Sequence, residues 1–237
     1  MNESYDVLVF GAHPDDVELG CGGTVAKLVS GGARVAIVDL TRGELGTRGS
    51  AELRDQESSK SASILGVQTR FNLGLKDGFF QCDEASLMAV VDVVRRFRPR
   101  VVIANALHDR HPDHGKGAEL VSQACFLSGL VKVETPSNPE PHRPDAVYHY
   151  IQDYERHPDV VVDTSEFVKV KMKAIMAFSS QFFDPESEEP ETPISTPAFL
   201  DYVKGRDLAM GRPCGFEAGE GFEIMRPVGV NSLLDLV

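Results

Sequence analysis

Short apolar segments alternate with longer amphipathic segments along the first 130 residues of the chain. The apolar segments have the length of buried strands, and they cover residues 7–10, 34–40, 69–73 and 100–105. Each is followed by a segment in which apolar residues recur at helical spacing; in one of them these residues are Leu87, Val90, Val91, Val94 and Phe97. Alternation of this kind predicts an α/β fold with a doubly wound, mostly parallel sheet flanked by helices.

The pattern becomes less regular after residue 130. The predicted elements there are strands at 146–151, 160–162 and 221–227, the last as a closing edge strand, and helices at 166–181 and 199–210. Residues 184–197 are acidic and rich in proline, which predicts an exposed and mobile loop. No repeat or clear boundary divides the chain. We therefore expect one Rossmann-like domain over residues 1–237, with β-α repeats at 1–130 and a more irregular part at 131–237.

A cluster of polar side chains follows the first predicted strand. Val7–Phe10 ends at Gly11-Ala12, and His13-Pro14-Asp15-Asp16 comes next. In open α/β sheets, ligands bind outside the carboxyl ends of the strands, so this cluster lies where a site is expected. The alternative is that Asp15 or Asp16 only caps the next helix and that Pro14 stiffens the turn.

A second cluster, His111-Pro112-Asp113-His114, follows the apolar segment 100–105. Pro112 is typical of the first position of a helix, and Asp113 complements the positive end of the helix dipole, so a helix is predicted to begin here. Both clusters are then strand-to-helix turns. Because a parallel sheet aligns its strand ends, two turns that are far apart in sequence can meet in space.

Together the two clusters offer His13, Asp16 and His114 as ligands of an open metal site. Three protein ligands leave room for water, and a divalent cation lowers the pKa of its bound water toward ~7, which makes hydroxide available at neutral pH. The alternative for the second cluster is a capped helix with solvated histidines.

With these motifs the chain resembles the LmbE-like, or PIG-L-like, metal-dependent N-acetylglucosaminyl deacetylases. The resemblance covers both motifs in order and spacing, the stretch TRGELGTRG at 41–49, and most of the chain length. Within the family it is most similar to the deacetylase of bacillithiol biosynthesis, which removes acetate from a malate-linked N-acetylglucosamine. The resemblance implies Zn²⁺ as cofactor, with Fe²⁺ as the alternative, a small N-acetylated amino sugar as substrate, and a homo-oligomer, since relatives form hexamers.

Hydrolysis of an acetamide needs a nucleophile, stabilisation of the oxyanion and a proton for the departing amine. In the predicted ligand set Asp15 does not bind the metal, and the resemblance implies that Asp15 is the general base. His111 is expected to face the carbonyl oxygen and to stabilise the tetrahedral intermediate. The resemblance also implies that Asp113 pairs with the His111 imidazole and fixes its tautomer.

Three further residues match positions that hold the sugar in relatives, namely Glu44, Arg54 and Asp77. The resemblance implies the same role for them here. Without it, a helical arginine such as Arg54 is more often a solvated surface charge, and Asp77-Gly78 is typical of a plain turn.

The chain departs from some relatives at Asp109, which stands where they carry a tyrosine two residues before the first histidine of the second motif. Catalytic help from that hydroxyl must be absent or come from elsewhere. Arg110, in the same loop, is a candidate substrate-binding residue because a guanidinium can bind a carboxylate such as malate through two hydrogen bonds. A surface ion pair with Asp109 or Asp113 is the alternative.

Composition excludes several classes of partner. The 237 residues carry a formal net charge of −12, and the lysines and arginines are scattered, which argues against nucleic acid. No apolar run has the ~18 residues that a membrane span needs, and the N-terminus does not resemble a signal peptide. The four cysteines have no C-x-x-C spacing and are typical of free thiols in a reducing compartment, so we expect a cytoplasmic protein.

Two other functions compete with the deacetylase prediction. A dinucleotide-binding module is disfavoured because Asp15 and Asp16 would lie where a pyrophosphate has to bind. A non-haem iron oxygenase also uses two histidines and one carboxylate, but it has no evident need for a free base such as Asp15. A deacetylase of another N-acetylglucosaminide or of a chitooligosaccharide is the alternative within the family.

Overall fold

The computed structural model describes residues 4–236, which form a seven-stranded mixed sheet with helices on both faces. The strands are β1 (Val7–Gly11), β2 (Val35–Thr41), β3 (Thr69–Leu75), β4 (Val101–Ala104), β5 (Ala146–Tyr150), β6 (Val160–Asp163) and β7 (Gly219–Ile224). The α-helices are α1 (Asp16–Ser30), α2 (Ala51–Leu65), α3 (Glu84–Phe97), α4 (Pro112–Leu127), α5 (Val168–Ile175) and α6 (Pro197–Gly211). Short 3₁₀ turns cover Ser165–Phe167, Arg212–Cys214 and Leu233–Leu236.

The strand order is β3-β2-β1-β4-β5-β7-β6, and the first five strands are parallel. The order reverses between β1 and β4, as in doubly wound folds, so the predicted fold class is confirmed. The prediction of a closing edge strand at 221–227 is wrong, because β7 runs antiparallel between β5 and β6 and the edge is formed by β6. A Cβ at Gly219 would approach Val161 to 2.6 Å, so glycine is needed for the close packing at this strand.

The core has one layer on each face of the sheet, and β1 contributes to both. Leu8 and Phe10 pack against residues of α3 and α4, whereas Val7 and Val9 pack against residues of α1 and α2. All five residues of β1 are buried, which is typical of a central parallel strand covered on both faces. The carboxyl end of β1 is therefore held rigidly, and the first histidine motif begins there.

Helix starts follow the capping residues of the sequence. The Ser50 side chain accepts a hydrogen bond from the Leu53 amide at the start of α2, and Asp83 accepts one from Ser86 at the start of α3. Pro112 occupies the first turn of α4, as predicted. These caps fix the helix entry points just beyond the loops that carry the site.

The helix predicted over 166–181 is much shorter in the structure. It consists of a 3₁₀ turn and α5, and the chain then leaves the helix after Ile175. Phe178 and Phe182 are buried in a small third core with Leu19 and Val203. This packing replaces helical continuation, and it brings Gln181 to the site.

Helix α1 is interrupted at Cys21, where the backbone is not helical. The amides of Gly23 and Thr24, just after the interruption, donate to the Glu220 carboxylate at 2.9 and 2.6 Å. Lys171 lies 2.8 Å from the same carboxylate and neutralises part of its charge. None of the helices within residues 4–236 is long and apolar enough to cross a membrane.

Candidate active site

The loops that leave the carboxyl ends of β1 to β4 surround a cavity of about 490 Å³. His13 lines it from the loop after β1, and His111 and His114 line it from the loop and helix after β4. The rings of His13 and His111 have their centroids 4.6 Å apart, and those of His13 and His114 are 5.6 Å apart. The two motifs therefore meet in space, as the alignment of parallel strand ends predicts.

Asp16, the first residue of α1, lies between the two motifs. Its Oδ1 is 3.1 Å from Nε2 of His114, and its Oδ2 is 3.5 Å from Nδ1 of His13. The amides of Asn105 and Gln152 donate to this carboxylate at 3.1 and 2.8 Å. Asp16 is 2 % exposed, so these bonds fix the orientation of a buried charge.

The site has an excess of acidic groups, which changes the protonation of its histidines. Burial by itself would lower the pKa of His114, but Asp16 and Asp109 raise that pKa to about 9. Burial also works against protonation of His13, and hydrogen bonds to Asp113, Asp16 and Asp77 nevertheless raise its pKa well above the usual range. The surroundings of both imidazoles therefore favour a positive charge at this position.

The donor set fits a divalent cation. His13, His111 and His114 each offer one nitrogen within 4.8 Å of the others, and a second set of His13, Asp77 and Asp113 meets the same criterion. Imidazole nitrogens and carboxylate oxygens are ligands of both zinc and ferrous iron. The structure thus brings His13 and His114 together with Asp16 between them, and it places His111, Asp77 and Asp113 close enough to His13 to share a cation site with it.

Asp15 is 4 % exposed, lines the cavity and has an unusual backbone conformation, with φ at 120°. Residues other than glycine rarely adopt this region, and such strain is concentrated at functional sites. Burial raises the pKa of the Asp15 carboxyl to about 7, although the Arg54 guanidinium opposes the shift. Asp15 Oδ2 lies 3.8 Å from Nη2 of Arg54.

Asp109 contacts His114 directly. Its Oδ2 is 2.6 Å from Nδ1 of His114, and its Oδ1 accepts the backbone amides of Arg110, Asp153 and Tyr154. A carboxylate in this position fixes the tautomer and ring orientation of a ligand histidine. In the sequence, Asp109 stands out only as the residue that replaces a tyrosine, and the structure gives it a supporting position instead.

The expected pairing of Asp113 with the His111 imidazole is wrong. His111 is the N-cap of α4, and its Nδ1 accepts the Asp113 amide at 3.2 Å. The Asp113 carboxylate accepts hydrogen bonds from the Gly78 amide at 2.7 Å and Lys116 Nζ at 3.1 Å, and it lies 3.5 Å from Nε2 of His13. The Asp113 carboxylate thus has partners other than the His111 imidazole, whose Nδ1 already accepts an amide of the helix N-terminus.

Asp77 lines the cavity and contacts His13. Its Oδ1 lies 3.0 Å from Nε2 of His13, and its Oδ2 accepts the Leu45 amide at 2.9 Å. The Glu44 carboxylate accepts the Asp77 amide at 2.9 Å, but the Glu44 side chain does not line the cavity. Glu44 and Asp77 thus tie two loops together, and only Asp77 borders the substrate space.

Arg54 is buried and lines the cavity, so the alternative of a solvated surface charge does not hold. Its guanidinium donates to the Gln181 side chain and to the Pro14 carbonyl, the latter at 3.5 Å, while Nε has no hydrogen-bond partner. Gly43, with φ at 64°, allows this packing, because a Cβ there would lie 2.2 Å from Nη1 of Arg54.

Arg110 lies on the wall of the cavity and forms an ion pair with Asp153. The partner is neither of the two acids considered from the sequence. Asp153 follows β5 and is distant in sequence, so the loop of the second motif gave no indication of this contact.

The sequence did not identify Asn105, Gln152 and Gln181 as residues of the site, and it gave Asp109 no supporting role. Asn105 and Gln152 come directly or almost directly after β4 and β5. The rule that polar residues at the carboxyl ends of parallel strands border the site could have identified both. Gln181 carries no such pattern, because it follows a turn that only the buried packing of Phe178 and Phe182 produces.

The acidic loop 184–197 is mostly exposed, as the sequence predicts, and hydrogen bonds join it to the loop that precedes α2. Arg48, which is 4 % exposed, donates to Ser187 Oγ at 2.6 Å and to Glu189 at 3.4 Å, and the Gly49 amide donates to Glu189 at 3.0 Å. Thr192, Pro193 and Ile194 line the cavity.

Comparisons with known proteins agree with this geometry. Residues 8–125, which contain both histidine motifs, match the family model described as PIG-L, GlcNAc-PI de-N-acetylase. The chain is 31 % identical over 194 residues to a diacetylchitobiose deacetylase of Thermococcus kodakarensis, covering 76 % of this chain and 72 % of that protein. It is 27 % identical to a probable N-acetyl-α-D-glucosaminyl L-malate deacetylase of Bacillus anthracis, covering 76 % of this chain and 83 % of that protein.

The fold is also that of a solved structure. The crystal structure of a conserved protein from Thermus thermophilus superposes with a TM-score of 0.86 at 34 % identity, covering 95 % of this chain and 97 % of that one. Sequence, sheet topology and the two converging histidine motifs agree, and the chain belongs to the PIG-L family of LmbE-like deacetylases.

Proposed function

We propose that this protein is a metal-dependent hydrolase that removes acetate from an N-acetylglucosamine conjugate. The observation that carries the proposal is the convergence of His13, Asp16 and His114 near a buried Asp15 in a chain of the PIG-L family. An acetamide hydrolase needs a metal site and a separate proton-transfer group, and these four residues meet that requirement.

His13, Asp16 and His114 are the residues that would hold the ion, and Asp109 would orient His114. A divalent cation bound there supplies a Lewis acid and a water of lowered pKa. Zinc and ferrous iron both suit these ligands, and we propose zinc first because closely similar open sites of hydrolases use it.

Asp15 is proposed as the general base and, later in the reaction, as the donor of a proton to the departing amine. Its carboxylate lies beside the ligand set and lines the cavity, with Arg54 3.8 Å away as its charged neighbour. Arg54 is proposed to hold that carboxylate in position and to border the sugar.

His111 is proposed to stabilise the oxyanion. Its Nδ1 accepts a backbone amide, so a neutral imidazole carries its proton on Nε2. His111 lines the cavity, and an Nε2–H there donates to an oxygen on which negative charge develops. The Asp113 carboxylate, which lies beside His13, is proposed to hold that ring in place. Its own position is fixed by the Gly78 amide and Lys116.

Asp77 is proposed to accept hydrogen bonds from sugar hydroxyls at the cavity floor. Glu44 contributes by fixing the Asp77 amide, which keeps the Asp77 loop beside the loop 43–49. The relatives give two candidate conjugates, a malate glycoside and diacetylchitobiose. The bacillithiol-type substrate requires a carboxylate-binding group, and Arg110 is the proposed residue for it.

Two further proposals concern the setting of the enzyme. The four cysteines form no disulfide, which supports the reducing cytoplasm as its compartment. A homo-oligomer stays a prediction from the family resemblance.

Acetate release is the direct test. We expect purified protein that is stripped with a chelator to release no acetate from N-acetylglucosamine conjugates, and to recover turnover when Zn²⁺ or Fe²⁺ is added. Asp15→Asn should keep its metal content and lose ~10²–10⁴-fold in kcat, because proton transfer acts on the transition state and not on assembly of the site.

Asp201→Asn is the matched control, since Asp201 is an exposed carboxylate on α6 and does not line the cavity. No acetate release from any conjugate by metal-loaded protein would refute the proposed function. Near-normal turnover in metal-loaded Asp15→Asn protein would remove Asp15 from the mechanism.

A further inference from the structure

Two arginines, Arg54 and Arg70, are buried beside carboxylates and bind them differently. The Arg70 guanidinium donates to both oxygens of Asp39, at 2.8 and 2.9 Å. The Arg54 guanidinium lies 3.8 Å from Oδ2 of Asp15, which is beyond hydrogen-bond distance. The two arginine side chains are almost equally buried, with 7 % and 5 % of their surface exposed, so burial does not account for the difference.

Gln181 is the residue that binds Arg54 in place of the acid. Nη2 of Arg54 donates to Oε1 of Gln181, while Nη1 reaches the Pro14 carbonyl only at 3.5 Å. The same Nη2 is the guanidinium atom that lies nearest to the Asp15 carboxylate. The Gln181 oxygen therefore competes directly with Asp15 for this donor.

The orientation of the Gln181 amide is fixed by its two other hydrogen bonds. Its Nε2 donates to the Arg48 carbonyl at 2.9 Å and to Ser180 Oγ at 2.8 Å. Because both amide hydrogens have acceptors, Oε1 is the atom that faces Arg54. A flipped amide would place its NH₂ group against the donors of the guanidinium.

The position of Gln181 is set by the same helix that carries Arg54. The Ser180 amide and hydroxyl donate to the Glu57 carboxylate at 2.8 and 2.7 Å. Glu57 follows Arg54 by three residues on α2, so the two side chains lie on one face of that helix. The contacts thus form a closed chain from Arg54 through Gln181 and Ser180 to Glu57.

The distance between Arg54 and Asp15 has a chemical consequence. A general base needs an oxygen that is free to take the proton. A direct hydrogen bond from a guanidinium is charge-assisted and strong, and it would occupy an oxygen of the Asp15 carboxylate. At 3.8 Å the positive charge of Arg54 still faces Asp15, but that hydrogen bond is not made.

We propose that Gln181 is a positioning residue that holds the Arg54 guanidinium short of a direct hydrogen bond with Asp15. This keeps the Asp15 carboxylate available for proton transfer. Gln181 acts through Arg54 and not on the substrate. The inference rests on the proposed function, in which Asp15 is the base, and it gives the buried Glu57 and Ser180 a part in holding the site.

A crystal structure of the Gln181→Met protein tests the geometry without reference to activity. Methionine has a similar length but offers no oxygen to the guanidinium. We expect Nη2 of Arg54 to move to about 2.7–2.9 Å from Oδ2 of Asp15, the range of a charge-assisted hydrogen bond. A guanidinium that stays in its wild-type position in this variant would overturn the proposal.

Steady-state kinetics on N,N′-diacetylchitobiose tests the consequence for catalysis. In Gln181→Met protein, kcat per bound metal ion should fall roughly 10- to 100-fold, because small misplacements of catalytic groups have effects of this size, and KM should change little. Counting turnover per bound metal excludes unfolded protein from the comparison. The matched control is Gln123→Met, since Gln123 is exposed on α4 and does not line the cavity. Wild-type kcat in Gln181→Met protein would refute the positioning role.

A double-mutant cycle shows whether Gln181 acts through Arg54. In an Arg54→Ala background, Gln181→Met should cause no further loss of kcat, because the group that it positions is already absent. Losses that add in the double variant would mean that Gln181 acts by another route, and the proposal would fail.

Two neighbouring serines provide a milder comparison in case Gln181→Met protein does not fold. The hydroxyls of Ser179 and Ser180 both donate to Glu57, but the Ser180 hydroxyl also accepts the Gln181 amide. Ser180→Ala should therefore lower kcat per bound metal, and Ser179→Ala should not. Equal values for the two variants would contradict the proposal. No acetate release by the metal-loaded wild type from any conjugate refutes the proposed function instead, whereas the position of Arg54 in the Gln181→Met crystal tests this inference without turnover.

Discussion

The two histidine motifs and the C-terminal segment 168–211 contribute to the same cavity in different ways. Each motif supplies its charged side chains within four consecutive residues, and the side chains of the two motifs contact each other at the strand ends. The C-terminal segment supplies Gln181, Ile194 and Arg206, which contact the backbone, the arginines or the substrate space. The comparison indicates that the chemistry is encoded locally, whereas the walls of the cavity depend on long-range packing.

The largest expected effect is the loss of a motif ligand. His114→Ala should lose more metal affinity than the roughly 10- to 100-fold typical of changing a ligand's hydrogen-bond partner, because a first ligand and its contact with Asp16 disappear together. Elemental analysis after dialysis measures this. The control is His157→Ala, since His157 also precedes Pro-Asp but is exposed and outside this cavity. Full metal content in His114→Ala protein would show that the ligand assignment is incorrect.

The next effect belongs to the C-terminal segment and concerns stability. Lys171 is 1 % exposed and lies 2.7 Å from Asp207 and 2.8 Å from Glu220. Lys171→Met removes the nearest cation from two buried carboxylates, so the free energy of unfolding should fall by about 3–5 kcal/mol. Urea denaturation measures the change, and Lys169→Met, at an exposed position of the same helix, is the control.

The metal affinity of Lys171→Met tests whether packing in the C-terminal segment is separate from the chemistry of the two motifs. The folded fraction of the variant should retain its affinity for metal, because Lys171 contacts none of the proposed ligands. A variant of normal stability that binds metal weakly would contradict the division between chemistry and packing.

Asp109→Asn should have an intermediate effect. The variant keeps the shape of the side chain but removes the charge that faces Nδ1 of His114, and Zn²⁺ affinity should weaken ~10- to 100-fold. Competition with a chromophoric chelator measures this without reference to activity. Asp153→Asn serves as the control, since its carboxylate pairs with Arg110 in the same loop region. Equal affinity in the Asp109→Asn and wild-type proteins would leave Asp109 with only a loop-holding role.

The smallest expected effect is at the loop that the sequence predicts to be exposed. Glu189 has a side chain that is 43 % exposed and joins the loop to Arg48 and Gly49. Exposed ion pairs contribute ~0.2–1 kcal/mol, so Glu189→Gln should raise KM by roughly 1.4- to 5-fold and leave kcat nearly unchanged. Steady-state kinetics on diacetylchitobiose measures both, with Glu186→Gln on the same loop as the control. A fall in kcat without a change in KM would show that the loop acts on the chemical step.

The fold was largely predictable because its regular part follows from residue patterns. The buried strand β1 and the amphipathic helix α3 lie close to where periodicity predicts them. The errors are confined to the C-terminal part. The position of β7 depends on which strand edge remains free after the parallel strands have paired, and the end of α5 depends on burial of Phe178 and Phe182. Neither is a property of a short segment.

The candidate site was also predictable where its residues belong to the two local motifs. His13, Asp15, Asp16 and His114 are the residues that the two turns point to, and the structure brings them together. Asp113 shows the limit of this reasoning. The family resemblance implied its contact with His111, but the carboxylate binds the Gly78 amide and Lys116 instead.

The sequence by itself determined the β-α order, the two turns and the residue types available for catalysis, because strand and helix periodicity and motif chemistry are local properties. Only the tertiary structure decided that Asp109 supports His114, that Arg54 is buried beside Asp15, and that Arg110 pairs with Asp153. These contacts join residues whose partners are set by how helices and loops pack on the sheet.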